Sequence, residues 1–275
     1  MDSVGFSVLL TGYNHIHMLN GYTFPTKKST VFKYMPLERF VQSVDNGELV
    51  FVSPGAWYDP FEQRYWGIDC SSHGYNTEEI ACLCVSEKSS TNEDASWRVY
   101  SDAKNKTVRL SIERDKLLSL LDEYADSEGM EVYIGNVDYS FEKKEIESIY
   151  LPSSPYYLRY FPTVMSREHY LSLMLLKRGA FKYENEVRIF IVKDKIPFEN
   201  NLLRLKCDYY SSKLVSNVML SPYPPVRAYG DLAVAVRERL NNMESSEIKR
   251  ILKNKVGCRI QQSLLYKVCP RVEKI

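Results

Sequence analysis

Between residues 31 and 54 the apolar positions change period twice. Val31-Phe32-Lys33-Tyr34-Met35 is rich in branched and aromatic residues and predicts a strand. Pro36 opens a stretch in which Leu37, Phe40, Val41 and Val44 recur at helical spacing, and Asn46-Gly47 supplies the stop. Glu48 to Pro54 then returns to a strand. Further along, the pattern predicts strands around 80–87, 106–113 and 130–140, with a helix over 114–126 and a turn at 141–145. Residues 165–178 predict one amphipathic helix closed by Gly179, followed by a strand from Phe181 to Lys193. A strand at 214–222, a helix at 229–242, a basic segment and a final short strand complete the chain. Residues 54–70 read as a loop crowded with aromatic and acidic side chains, and 87–96 as a polar turn carrying a helix start. The fold class is therefore α+β: one integrated domain over 31–275, preceded by a polar, turn-rich N-terminal extension over 1–30.

A chain of 275 residues, 44% of them apolar, buries a core without disulfide staples. No run approaches the length of a bilayer span, and the N-terminus lacks a basic region ahead of a long apolar stretch, so a cytoplasmic protein without membrane contact is expected. The six cysteines are scattered. Cys82 and Cys84 are expected on one face of a buried strand, as core thiols rather than metal ligands, because their spacing is too tight for a zinc knuckle. The four histidines make no metal set by spacing, so no metal is expected.

Acidic and basic residues nearly balance, 35 against 36, which removes any global field for nucleic acid. From Glu244 to Lys274, however, eight Lys/Arg face three Glu, and this segment is either a solvated helix face or a contact surface. There are 21 tyrosines, several within Ser153–Pro162, where interleaved Tyr and Arg either stack unpaired bases or form the edge of a core.

The phosphate-cradling glycine loop, the dinucleotide glycine fingerprint, the paired-histidine zinc motif and the nucleophile elbow are all missing from the sequence. The informative element is Tyr183-Glu184-Asn185-Glu186-Val187-Arg188. On a strand, Glu184, Glu186 and Arg188 share one face while Val187, Ile189 and Ile191 pack on the other, and the two carboxylates lie about 7 Å apart. Carboxylates so placed suit glycosyl transfer, in which a bond to ribose breaks through an oxocarbenium-like state. A solvated sheet face with a Glu–Arg pair is the alternative.

Four segments in order resemble a prokaryotic domain-of-unknown-function family: Phe32-Lys33-Tyr34, Gly47-Glu48-Leu49 with Phe51-Val52-Ser53-Pro54, Asp59-Pro60-Phe61-Glu62, and Tyr183 to Arg188. Trp97 and Tyr100, and the tail Gln261 to Lys267, extend the resemblance over nearly the whole chain. That family in turn is similar to the ADP-ribosyltransferase superfamily. The resemblance implies a split mixed sheet flanked by helices, with NAD as co-substrate. It implies that Glu186 is catalytic and that Glu184 positions the acceptor. Lys33, which stands where the superfamily carries Arg or His, would hold the NAD with Tyr34, and Ser53 would support the site. Asp59, Phe61, Trp97, Tyr100 and Arg188 would complete the cofactor site, with Glu62 beside them; alternatively Asp59 caps a structural turn.

The chain also resembles the mRNA-modifying toxins of anti-phage toxin–antitoxin–chaperone systems. This implies single-stranded RNA as acceptor, with antitoxin and chaperone proteins as partners. An NAD glycohydrolase and a non-catalytic module of a defence complex are the rival expectations.

Overall fold

The computed structural model describes residues 5–25, 29–57, 59, 61–62, 77–87, 96–97, 106–149, 151–222 and 245–263. Their eleven strands are β1 (Ser7–Leu9), β2 (Ile16–Leu19), β3 (Thr30–Pro36), β4 (Glu48–Val52), β5 (Ile80–Ser86), β6 (Thr107–Glu113), β7 (Glu131–Asn136), β8 (Glu186–Val192), β9 (Leu202–Lys206), β10 (Val215–Leu220) and β11 (Arg259–Gln262). They form one open sheet in the order β1-β2-β7-β8-β5-β3-β6-β10-β11, with β4 joined to β5 and β9. The β2–β7 and β10–β11 pairs are parallel and the others antiparallel, so the sheet is mixed.

Helices cover both faces. On one, α1 (Leu37–Asn46), α2 (Arg114–Glu128), α6 (Tyr209–Ser212) and α7 (Ser245–Val256) bury their apolar stripes over the main core. Leu37, Phe40, Leu117, Leu121 and Leu252 share this core with Val187, Ile189 and Ile191 of β8, the apolar side expected for that strand. Each such side chain contributes about 1.5–3 kcal/mol of transfer free energy. On the opposite face, α3 (Lys143–Ile149), α4 (Tyr157–Tyr160) and α5 (Arg167–Leu173) cover two smaller cores. Gly47 ends α1 with φ of 63°, a left-handed cap that glycine adopts without strain.

Several expectations are corrected. The described part of 1–30 is no extension, because β2 pairs Ile16 with Val132 and Met18 with Ile134, and Ile16, Met18 and Leu19 are buried. The expected turn at 141–145 runs into α3, whose Ile146 and Ile149 pack with Phe141. The expected helix over 165–178 stops at Leu173, because Leu176 makes a bridge with Asp138 and the chain turns back. The residues expected as the first part of the strand from Phe181 are instead a 3₁₀ turn, Gly179–Glu184.

Within 153–162 the rings lie at the edge of a core. Tyr160 is buried, and Tyr156 and Tyr160 meet Phe141 edge-on at 5.6 and 5.9 Å. In the basic tail, α7 turns Ile248, Leu252 and Val256 inward, and Lys255 pairs with Asp45. The helix expected at 229–242 lies outside the described residues. No helix among the described residues is long and apolar enough to cross a membrane.

Candidate functional site

Glu184 closes the 3₁₀ turn, Asn185 takes a left-handed φ of 44°, and Glu186 begins β8. The side-chain amide of Asn185 donates to the Tyr183 carbonyl at 3.0 Å, which suits the tolerance of asparagine for that conformation. The two carboxylates therefore do not alternate along one strand, as the sequence suggested. The turn folds Glu184 back instead, and both acids converge on Lys177 Nζ, at 2.7 Å for Glu184 Oε2 and 2.9 Å for Glu186 Oε2.

Arg188 completes the cluster. Its Nε donates to Glu186 Oε1 at 2.9 Å, Nη2 pairs with Glu62, and Nη1 donates to the Met174 carbonyl. The guanidinium lies 4.3 Å from the Trp57 ring centroid. Glu62 also approaches Lys177 at 3.8 Å. Glu184, Glu186 and Arg188 are 6%, 5% and 1% exposed, so the alternative of a solvated sheet face fails. Three carboxylates and two cations leave water together, at a desolvation cost of several kcal/mol per ion that only mutual pairing offsets.

The environment drives the two acids apart. Burial raises the Glu184 carboxyl to about 6 against the opposing pull of Lys177, with the Glu186 charge adding to the rise. Burial acts the same way on Glu186, but Arg188 and Lys177 outweigh it and hold this carboxyl well below the usual range. Burial alone would lower Lys177, whereas Glu186 and Glu62 keep it protonated. At neutral pH Glu186 is thus fixed as an anion, while Glu184 exchanges a proton near physiological pH. A buried cluster that splits two like groups in this way is a candidate site for proton-transfer chemistry.

The sheet forks next to this cluster. On the edge of β5 away from β8, β3 pairs only at Phe32↔Ser86 and β4 only at Val52↔Cys82. Between those points the Cys84 carbonyl accepts from Lys33 Nζ at 3.1 Å. Burial lowers the Lys33 value, opposed by the nearby Cys84 and Cys82 thiols and by Glu186. Those thiols lie on one strand face as expected, with their sulfurs 3.9 Å apart. Lys33, Tyr34, Cys84, Ser86, Glu184 and Glu186 line a common pocket of about 50 Å³. Such a space is large enough for a water molecule and too small for a dinucleotide.

Of the other expected residues, Arg188 joins the cluster directly. Trp97 is fully buried and meets Tyr34 edge-on at 5.0 Å, which makes it part of the wall's support. Ser53 is engaged elsewhere, donating to the Thr77 carbonyl at 3.5 Å. Asp59 accepts from the Phe61 amide at 2.8 Å, the capping alternative, and pairs with Arg178 at 3.1 Å. Arg178 in turn lies 4.3 Å from the Phe61 ring centroid, so these two residues build a neighbouring cation–aromatic stack and not a wall of the small pocket. Tyr100 lies outside the described residues. Sequence reasoning missed Lys177, which ends an apolar run that reads as helix, and Tyr139, whose hydroxyl oxygen accepts from the Glu186 amide at 3.1 Å.

Comparison with protein-family models, with curated proteins and with solved structures finds no match to this chain.

Proposed function

We propose that this chain is an ADP-ribosyltransferase that moves ADP-ribose from NAD to an intracellular macromolecule, with single-stranded RNA as the acceptor. The reading rests on one observation: two buried carboxylates, Glu184 and Glu186, converge on Lys177 at 2.7 and 2.9 Å beside Lys33 in a forked sheet. The order of the sequence motifs and the split at β5 add support. In this reading the fork is the cleft of an ADP-ribosyltransferase-like fold.

The chemistry assigns each group a task. As the ribose–nicotinamide bond breaks, its electron pair leaves with nicotinamide, and positive charge grows on the ribose. Glu186, fixed as an anion, stabilises that charge. The acceptor's nucleophilic atom then bonds to the same ribose carbon, and its proton passes to Glu184. Lys177 occupies the ground between both acids, so it must withdraw before ribose enters. The described arrangement is in this reading the closed state. The resemblance to anti-phage toxins carries the biological context, a cytoplasmic toxin held by antitoxin and chaperone partners.

A second reading has its own observation. The small pocket lined by Glu184 admits water, which makes an NAD glycohydrolase the rival. Incubating the protein with NAD labelled in the adenylate moiety, with and without total RNA, DNA or protein, separates the possibilities. Label on RNA is the expected outcome. Free ADP-ribose in equal amount with or without acceptor supports the glycohydrolase, and intact NAD overturns both in favour of a purely structural charge cluster.

A further inference from the structure

A larger cleft lies beside the bridge between Asp138 and Leu176, both of which line it. Its volume is about 520 Å³, within the roughly 300–1,000 Å³ typical of small-molecule sites. The chain that follows β7 forms one wall, through Asp138 and Tyr139. Arg159 and Tyr160 of α4 form another, and Lys182 of the 3₁₀ turn closes the rim.

We infer that this cleft binds a nucleoside monophosphate. Two cations, Arg159 and Lys182, face one carboxylate, Asp138, so the lining favours a compact anion. Asp138 already uses one oxygen to accept from the Ser140 amide at 2.8 Å, which leaves the other for a sugar hydroxyl. The Arg159 guanidinium packs 5.6 Å from the Tyr160 ring centroid, and its Nε–H is buried with no hydrogen-bond partner. A planar guanidinium suits a phosphate. Tyr139, half-buried on the wall of the cleft, adds aromatic surface for a base. The Tyr139 hydroxyl oxygen accepts from the Glu186 amide, which leaves its own proton to donate. The site stands whether or not the carboxylate pair acts on NAD.

Calorimetric titration of the full chain with AMP, adenosine and inorganic phosphate tests it. Saturable AMP binding is expected, with adenosine and phosphate each weaker. Arg159→Gln is expected to weaken AMP at least about tenfold, and Lys182→Gln less, since the latter side chain is exposed and loses one ion contact. Lys255→Gln, whose side chain pairs with Asp45 and lies outside the cleft, leaves AMP binding unchanged. Absence of saturable AMP binding by the unaltered chain overturns the inference. So does AMP affinity that survives both cation substitutions, or that falls as much in Lys255→Gln as in Arg159→Gln. Thermal melts confirm that each variant is folded, and Lys182→Gln keeps the test decisive should Arg159→Gln fail to fold.

Discussion

At the scale of single residues, the charge cluster makes opposite demands on its two acids. Glu186 has a folded value far below the ordinary 4.5, so the stability it contributes is present above 4.5 and is lost as pH falls through its folded value. Glu186→Gln is therefore expected to flatten the acid limb of the stability curve, read by urea denaturation between neutral and acid pH. Glu184 has the reverse sign. Its folded value of about 6 favours the folded state below 4.5, and that advantage disappears as pH rises through about 6. As the proposed proton acceptor it is also expected to give a transfer rate that rises through pH 6, a limb absent from Glu184→Gln. Arg188→Met leaves Glu186 and Glu62 buried with one cation fewer, at an expected cost of about 3–5 kcal/mol in denaturant unfolding. The sequence revealed Glu186 and Arg188 because they share a strand parity. It concealed Lys177, since a lysine closing Leu171-Ser172-Leu173-Met174-Leu175-Leu176 reads as the polar end of a helix.

At the scale of elements, what was legible depended on length and punctuation. The run from β3 through α1 to β4 carries enough periodic positions, and a proline and a glycine at its joints, to be read directly. Gly47→Ala places a Cβ at φ of 63° and is expected to cost about 1 kcal/mol, measured by thermal melting. The end of α5 was not legible. Residues 170–176 are buried on every side, so no polar face marks where helical turns cease. Long-range pairing of Leu176 with Asp138 decides that point, and this pairing leaves no trace in local sequence. The same limit applies to Glu184, whose place depends on the left-handed Asn185 and not on strand alternation. Ser166 caps α5 by accepting from the His169 amide, and Ser166→Ala is expected to cost about 1 kcal/mol in thermal melting.

At the scale of the whole molecule, the α+β class followed from the order of periods, but the sheet's outer strands did not. β2 has only four residues, too few for a period to emerge, yet it shields β7 and buries Ile16, Met18 and Leu19. Removing residues 1–25 discards roughly 4–9 kcal/mol of apolar burial, comparable with the net stability of a typical domain, and is expected to abolish cooperative melting in circular dichroism. The fork at β5 is the other global feature, because it brings β3, β5 and β8, distant in sequence, to one pocket. We propose that Glu186 at this fork stabilises the ribose cation as the bond to nicotinamide breaks. Nicotinamide released from NAD by the unaltered chain and by Glu186→Gln, each shown folded by melting, tests it most directly. Release by the former and a fall of at least about 100-fold in the variant are expected. Equal release from both proteins, or none from the unaltered chain, contradicts it.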